Sequence, residues 1–248
     1  MKSVILCEGR DDLWFIAYYL HKTADWTTRK DGWRNYTVAP LSSRQAVQYL
    51  KKGGDSAAVW CVGGKDSFQG AVSTIFEKFI ADYPFDPIDS VVIVRDRDND
   101  PEERILSGMR DWIPGNPVLR NKAPSAWTRE IEGSAVSVKI TPVVIPFSEE
   151  GAIETLLMEA VRERGREEEI IVQGANAYID GLRENPEAGI RYLSHERLVL
   201  KARYAAVIAA TNPDHSTGLF QDMVMSCPWE ESAYVKEHFD VIAAAVSS

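Results

Sequence analysis

The sequence predicts an α/β fold, a Rossmann-like and mainly parallel sheet flanked by helices with a helical extension at its C-terminal side, on two observations. Short apolar runs alternate with helix-length patterns through the first two thirds of the chain, as successive βα units require. Beyond about Gly165 the strand signals fade and helical patterns alone remain. The chain therefore divides into an α/β part over residues 1–165 and an extension over 166–248 that packs on it.

The first strand is expected at Ser3–Cys7, an apolar run that ends in Glu8-Gly9 and opens a helix over Asp11–Lys22. A short strand at Tyr36–Ala39 and a helix at Arg44–Lys51 come next, then a strand at Ala57–Val62. The glycine turn Gly63-Gly64 leads to a helix over Phe68–Tyr83. Ser90–Val94 is a buried-type strand, and Pro101-Glu102-Glu103 opens a helix that reaches Trp112. A strand at Val136–Ile145 and a helix at Glu149–Arg164 complete the α/β part. Helices at Glu167–Gln173, Ala175–Arg183, His195–Ala210 and Glu230–Val246 form the extension.

Composition narrows the function. Hydrophobic residues make up 45% of the chain and charged residues 26%, a globular balance with enough length to bury a core. Twenty-eight Lys and Arg against 37 Asp and Glu give a net charge of −9, which excludes a generic duplex-coating protein, because that affinity comes from basic residues displacing counterions. No apolar run approaches the ~20 residues that cross a bilayer. The first strand begins too early to follow an export signal, so the expected location is the cytoplasm. Cys7, Cys61 and Cys227 form no CxxC pair, and His21, His195, His215 and His238 form no HExxH, so any metal is held mainly by oxygen.

Carboxylates recur where such chemistry belongs. Ligands of open α/β sheets sit at the carboxyl ends of strands, and Glu8 falls there, with Gly9 permitting the tight turn. Asp12 lies about one helical turn beyond Glu8 and can point to the same place, whereas Asp11 reads first as a helix cap. The second strand end carries Asp96-Arg97-Asp98, two carboxylates that can both reach a hard cation and would otherwise repel. Asp100, just before Pro101, reads as an N-cap outside the site. In the helix after Ser148 the apolar stripe Ile153, Leu156, Leu157, Ala160 and Val161 places Glu150 within it and Glu154 at its edge. Glu149 needs no more than the helix macrodipole to explain it. In the extension, Leu198, Ala202, Ala205, Ile208 and Ala209 define a face that includes Lys201, which either snorkels to solvent or pairs with the acidic cluster. Val62-Gly63-Gly64-Lys65 lacks the phosphate-loop spacing and reads first as a turn, and Trp26, Trp33 and Trp60 suit a core as well as a base-stacking platform.

Glu8-Gly9 with Asp12, followed by Asp96 and Asp98, resembles the TOPRIM domain of topoisomerases, primases, ribonuclease M5 and OLD-family nucleases. With Ile153-Glu154-Thr155-Leu156-Leu157 and the Lys201 helix added, the chain is most similar to the OLD-nuclease branch and its small relatives, over roughly residues 1–160. The resemblance implies two cations, Mg²⁺ or Mn²⁺ with Ca²⁺ as a non-productive substitute, held by Glu8, Asp12, Asp96, Asp98, Glu150 and Glu154 with Lys201 nearby. It implies a nuclease or nickase in which Glu8, Asp96, Asp98 and Lys201 carry the reaction, and DNA rather than RNA as the partner. Asp98-Asn99-Asp100-Pro101 departs from the glycine that follows DxD in topoisomerases, primases and ribonuclease M5. OLD nucleases carry an ATPase domain that this chain lacks, so ATP-driven regulation would need another subunit. A ribonuclease M5-like RNA processor and a non-catalytic metal- or nucleotide-binding subunit of a defence complex are the alternatives, because one framework hosts several reactions.

Overall fold

The computed structural model describes residues 1–38, 40, 42–115, 118–119, 127–130, 137–185 and 191–247. Its centre is four parallel strands in the order β4 (Asp55–Cys61), β1 (Lys2–Cys7), β5 (Ser90–Asp96) and β8 (Ser137–Ile145). Antiparallel strands extend both edges, with β3 (Ala46–Lys52) and β2 (Thr27–Arg29) beyond β4, and β7 (Trp127–Glu130) and β6 (Val118–Leu119) beyond β8. The parallel centre is the α/β sheet that the sequence predicts, while the antiparallel edges are an addition to it.

Each central strand alternates between two cores, as a period of two requires. Ile5 and Cys7 of β1, Val92 and Val94 of β5 and Val143 and Ile145 of β8 face one core. It is closed by α1 (Arg10–Ala24), α4 (Ile153–Arg162) and residues from the helices that follow: α5 (Arg166–Glu184), α6 (Glu196–Thr211), α7 (Phe220–Met225) and α8 (Ala233–Ala245). Val4, Leu6, Val91 and Ile93 face the other core, under α2 (Phe68–Thr74), its π-helical continuation Ile75–Ile80, and α3 (Glu102–Trp112). Trp26, Trp33 and Trp60 are all buried, so they are core residues and not exposed stacking platforms. No helix among the described residues is long and apolar enough to cross a membrane.

Several elements differ from the sequence expectation. The helix expected at Arg44–Lys51 is strand β3, joined to β4 through Gly53-Gly54 with Lys52 opposite Asp55. A two-glycine loop is a hairpin signal, and Gly53 takes the left-handed conformation such a turn needs (φ +55°). Tyr36–Val38 form no strand, and Ala39 lies outside the described residues, as does Val136. The two helices expected over Glu167–Arg183 are the single helix α5, and α7 carries no expectation at all. Helix α4 begins at Ile153, so Glu149 and Glu150 precede it.

Parallel order 4-1-5-8 means that the chain leaves β1 for one side of the sheet and returns for the other side at β5. The crevice between the carboxyl ends of β1 and β5 is the topological switch point, where open α/β sheets hold their ligands. Glu8 follows β1, and Asp96 ends β5.

Candidate functional site

A cavity of about 1100 Å³ opens at this switch point. Glu8, Asp12, Asp96, Asp98, Glu150, Glu154 and Lys201 all line it, so residues spread over most of the sequence converge on one space. Asp11 and Asp100 line it as well, against the expectation that they serve as caps outside the site. Gly9, not Asp11, is the N-cap of α1, and Pro101, not Asp100, is the N-cap of α3. Asp100 instead stands 3.6 Å from Arg95 and 3.4 Å from Arg104.

Local backbone geometry aims each carboxylate. Glu8 sits in the turn between β1 and α1, where its carbonyl accepts the N–H groups of Gly63 and Gly64 (both 3.1 Å) and ties that turn to the exit of β4. The Gly63-Gly64 turn therefore braces Glu8, and Lys65, which follows it, stands 3.7 Å from Asp98 across the cavity. Asp12 is in the first turn of α1, and its Oδ2 accepts the Gly9 N–H at 2.6 Å. That bond fixes the side chain, which is only 5% exposed.

The Asp96-Arg97-Asp98 turn uses its middle residue as an anchor. Arg97 is buried and donates from Nε to the Pro146 carbonyl (2.8 Å) and from Nη2 to the Phe147 carbonyl and to Glu102. Asp98 has a left-handed backbone (φ +51°), which aspartate tolerates better than most residues. It forms a two-way bridge with Gly151, N to O at 2.6 Å and O to N at 2.8 Å. Gly151 has φ +139°, and a Cβ there would lie 2.0 Å from Thr155 Oγ1, so only glycine fits. This bridge sets Asp98, two residues beyond β5, beside the segment that leads into α4, and Glu150 lies before that helix. Glu150 is exposed at the cavity wall, not turned into the apolar stripe as the periodicity predicts. Glu154, in the first turn of α4, is buried beside Ile153, Leu156 and Leu157.

Lys201 reaches this group from α6. Its Nζ is 2.7 Å from Glu154 Oε1 and 3.9 Å from Asp11 Oδ2. Of the two fates open to it in the sequence, it takes the acidic partner, although the helix face that suggested so is displaced. Val199, Val207 and Ile208 are buried, whereas Ala205 and Ala209 are exposed and Leu198 is 41% exposed. Lys201 shares a helix face with Ile208, about two turns further along α6.

Burial sets the electrostatics and mutual repulsion adds to it. Burial raises the Glu8 carboxyl above its ordinary range, and Asp98 adds to the rise. Burial pushes Asp12 up to about 7, against the opposing Gly9 hydrogen bond, with Glu8 and Glu154 contributing. Asp96 is raised well above its ordinary value by burial and then by Asp12 and Glu8. Glu8 Oε2, Asp12 Oδ1 and Asp96 Oδ1 are buried without a hydrogen-bond partner. An unpaired buried carboxylate oxygen costs free energy that a proton or a hard cation would recover. Among the described residues, however, no three His, Cys, Asp or Glu side chains form a ready-made metal cage.

Residues that sequence reasoning missed support these acids. Gly151 and Arg97 carry no acidic signal, and His238 lies far away in the chain. His238 Nε2 accepts the Phe147 N–H at 2.9 Å, and its Nδ1 is 2.7 Å from the Tyr234 carbonyl, an acceptor only, so the ring is the neutral Nδ1–H tautomer. Tyr234 also hydrogen-bonds Glu149 through its hydroxyl. Helix α8 thus secures the loop that leads into Gly151 and α4.

No family model matches the chain, and no curated protein matches it. Among solved structures it is similar to a hypothetical protein from Pyrococcus horikoshii OT3, at 15% identity and a TM-score of 0.50, over 97% of this chain and 99% of that one. At that identity the likeness establishes the shared α/β fold. The cytosolic domain of the T. maritima FeoB iron transporter in its GMPPNP form aligns over 100% of both chains at 13% identity, with a TM-score of only 0.20.

Proposed function

We propose that this chain is a TOPRIM-type phosphodiester-cleaving protein, dependent on Mg²⁺ or Mn²⁺ and acting on nucleic acid, with DNA the preferred substrate. One observation carries the reading. Three carboxylates from two separate segments, Glu8 and Asp12 at the β1–α1 turn and Asp96 at the end of β5, each leave a buried oxygen without a hydrogen-bond partner, and all three residues line the cavity at the switch point of the sheet. Oxygen donors of this kind suit a hard cation, and the raised proton affinities express the same need for positive charge. Asp98, which lines the same cavity, would add a further oxygen donor to a cation held there.

The acidic lining also explains why the cation is needed for the substrate. A phosphate meets repulsion from this wall unless positive charge is supplied. A divalent ion supplies it, along with a polarised phosphoryl oxygen and an activated water. The chain's own cations do the rest. Lys65 beside Asp98 and Arg197 and Lys201 from α6 line the same cavity and hold non-bridging oxygens of the incoming strand.

The test is cleavage of supercoiled plasmid, single-stranded and duplex oligonucleotides and structured RNA in Mg²⁺ or Mn²⁺. Cleavage that disappears in Asp96→Ala and in EDTA supports the reading. Preference for structured RNA would move the assignment to a ribonuclease M5-like processor. Cation binding without turnover on any of these substrates would leave a non-catalytic subunit.

A further inference from the structure

The acids of the cavity differ in how their charge is met. Glu8 Oε2, Asp12 Oδ1 and Asp96 Oδ1 are buried and unpartnered, and Asp12 is held in place by the Gly9 N–H. Glu154 is only 7% exposed, yet it has a positive partner in contact, the Lys201 ammonium at 2.7 Å. Asp11 flanks the same ammonium at 3.9 Å.

We propose that the Lys201 ammonium stands in for a second cation, so that the resting cavity takes up one divalent ion, at Glu8, Asp12 and Asp96, and admits another at Glu154 only when Lys201 moves away. The inference rests on the cation-binding reading above and adds to it the number of ions and what controls that number. An ammonium in contact with Glu154 Oε1 takes up one of the carboxylate's acceptor sites and repels a divalent charge. The two partners are also unequal in freedom. The Lys201 side chain is 41% exposed on a flexible stem and can swing into the cavity, whereas the Glu154 side chain is 10% exposed and fixed by its buried helix. An arriving phosphate offers the released ammonium a new anionic partner, so entry of the second ion is coupled to entry of substrate.

The experiment is a Mn²⁺ titration of the full chain without nucleic acid, with free Mn²⁺ followed by its paramagnetic resonance. Wild type should bind one ion tightly. Lys201→Met should bind two, the second at least about tenfold more tightly than wild type binds it, because a unit positive charge has left the site. Lys201→Arg should retain the single ion. Lys201→Met combined with Glu154→Gln should return to one ion, which separates a vacated site from a disturbed fold. Two ions bound with similar affinity by wild type, or a single ion in Lys201→Met, would overturn the proposal while leaving cation binding intact. No bound ion in any form would overturn the cation reading itself, and the inference with it.

Discussion

Asp12→Asn should stabilise the cation-free protein at alkaline pH, although it alters a buried residue in the first turn of a helix. Asparagine keeps the shape of the side chain and an oxygen that can accept the Gly9 N–H, now 2.6 Å from Asp12 Oδ2. What it removes is a buried negative charge beside Glu8, Glu154 and Asp11. Folding raises the Asp12 carboxyl from an ordinary 3.8 to about 7, so the folded state holds this proton more tightly than the unfolded chain does. Stability associated with the group is therefore fully present below pH 3.8 and is lost as pH rises through about 7. At about 1.4 kcal/mol per pH unit, the loss by pH 8 is roughly 4 kcal/mol. Urea unfolding in EDTA at pH 4, 6 and 8 measures it. The variant should match wild type at pH 4 and exceed it by up to roughly 4 kcal/mol at pH 8. Mn²⁺ at about 100 times its Kd should narrow the pH 8 difference to roughly 1 kcal/mol, since it adds about 2.7 kcal/mol to wild type through a site the variant has damaged. An Asp12→Asn protein destabilised equally at all three pH values would refute the reasoning, because the ionised Asp12 carboxylate would then not be what weakens the fold at alkaline pH.

The supporting turns give further outcomes. Gly151→Ala should cost about 2–4 kcal/mol in chemical denaturation, from its positive φ and the collision with Thr155, and unchanged stability would remove the case for an obligatory glycine. Arg97→Met should cost about 2–4 kcal/mol, since the Pro146 and Phe147 carbonyls lose their buried donor. Burial lowers the His238 imidazole below its ordinary 6.5, so its share of stability is present above that pH and lost as pH falls through the lowered value. His238→Gln should flatten that acid-side decline in a thermal-melt series, and an unaltered decline would assign it to other groups.

The switch-point acids were legible because each obeys a local rule. An apolar run that ends in Glu8-Gly9 announces its own geometry, and so does one that ends in Asp96-Arg97-Asp98. The start of α4 was not legible by periodicity, because the Asp98–Gly151 bridge, a contact between distant segments, decides where that helix begins. Strand β3 was misread for a different reason. Its residues at 46–52 suit either structure, and the decisive sign was the Gly53-Gly54 turn beyond them. Lys201 was left open between solvent and an acidic partner, on a helix face that is rotated from the true one, and the contact with Glu154 that decides it joins segments far apart in the chain. For His238 there was no sign to read, since its bond to the Phe147 N–H spans 91 residues.

Helix α8 binds the molecule at two distant places. Its Ala245 carbonyl accepts the buried Ser90 hydroxyl at the start of β5, while His238 grips the segment before Glu149. During synthesis, both ends of the acid-bearing strand's surroundings emerge from the ribosome long before residues 233–245 exist to clasp them. These two clasps close only after those residues arrive, late in the synthesis of each molecule.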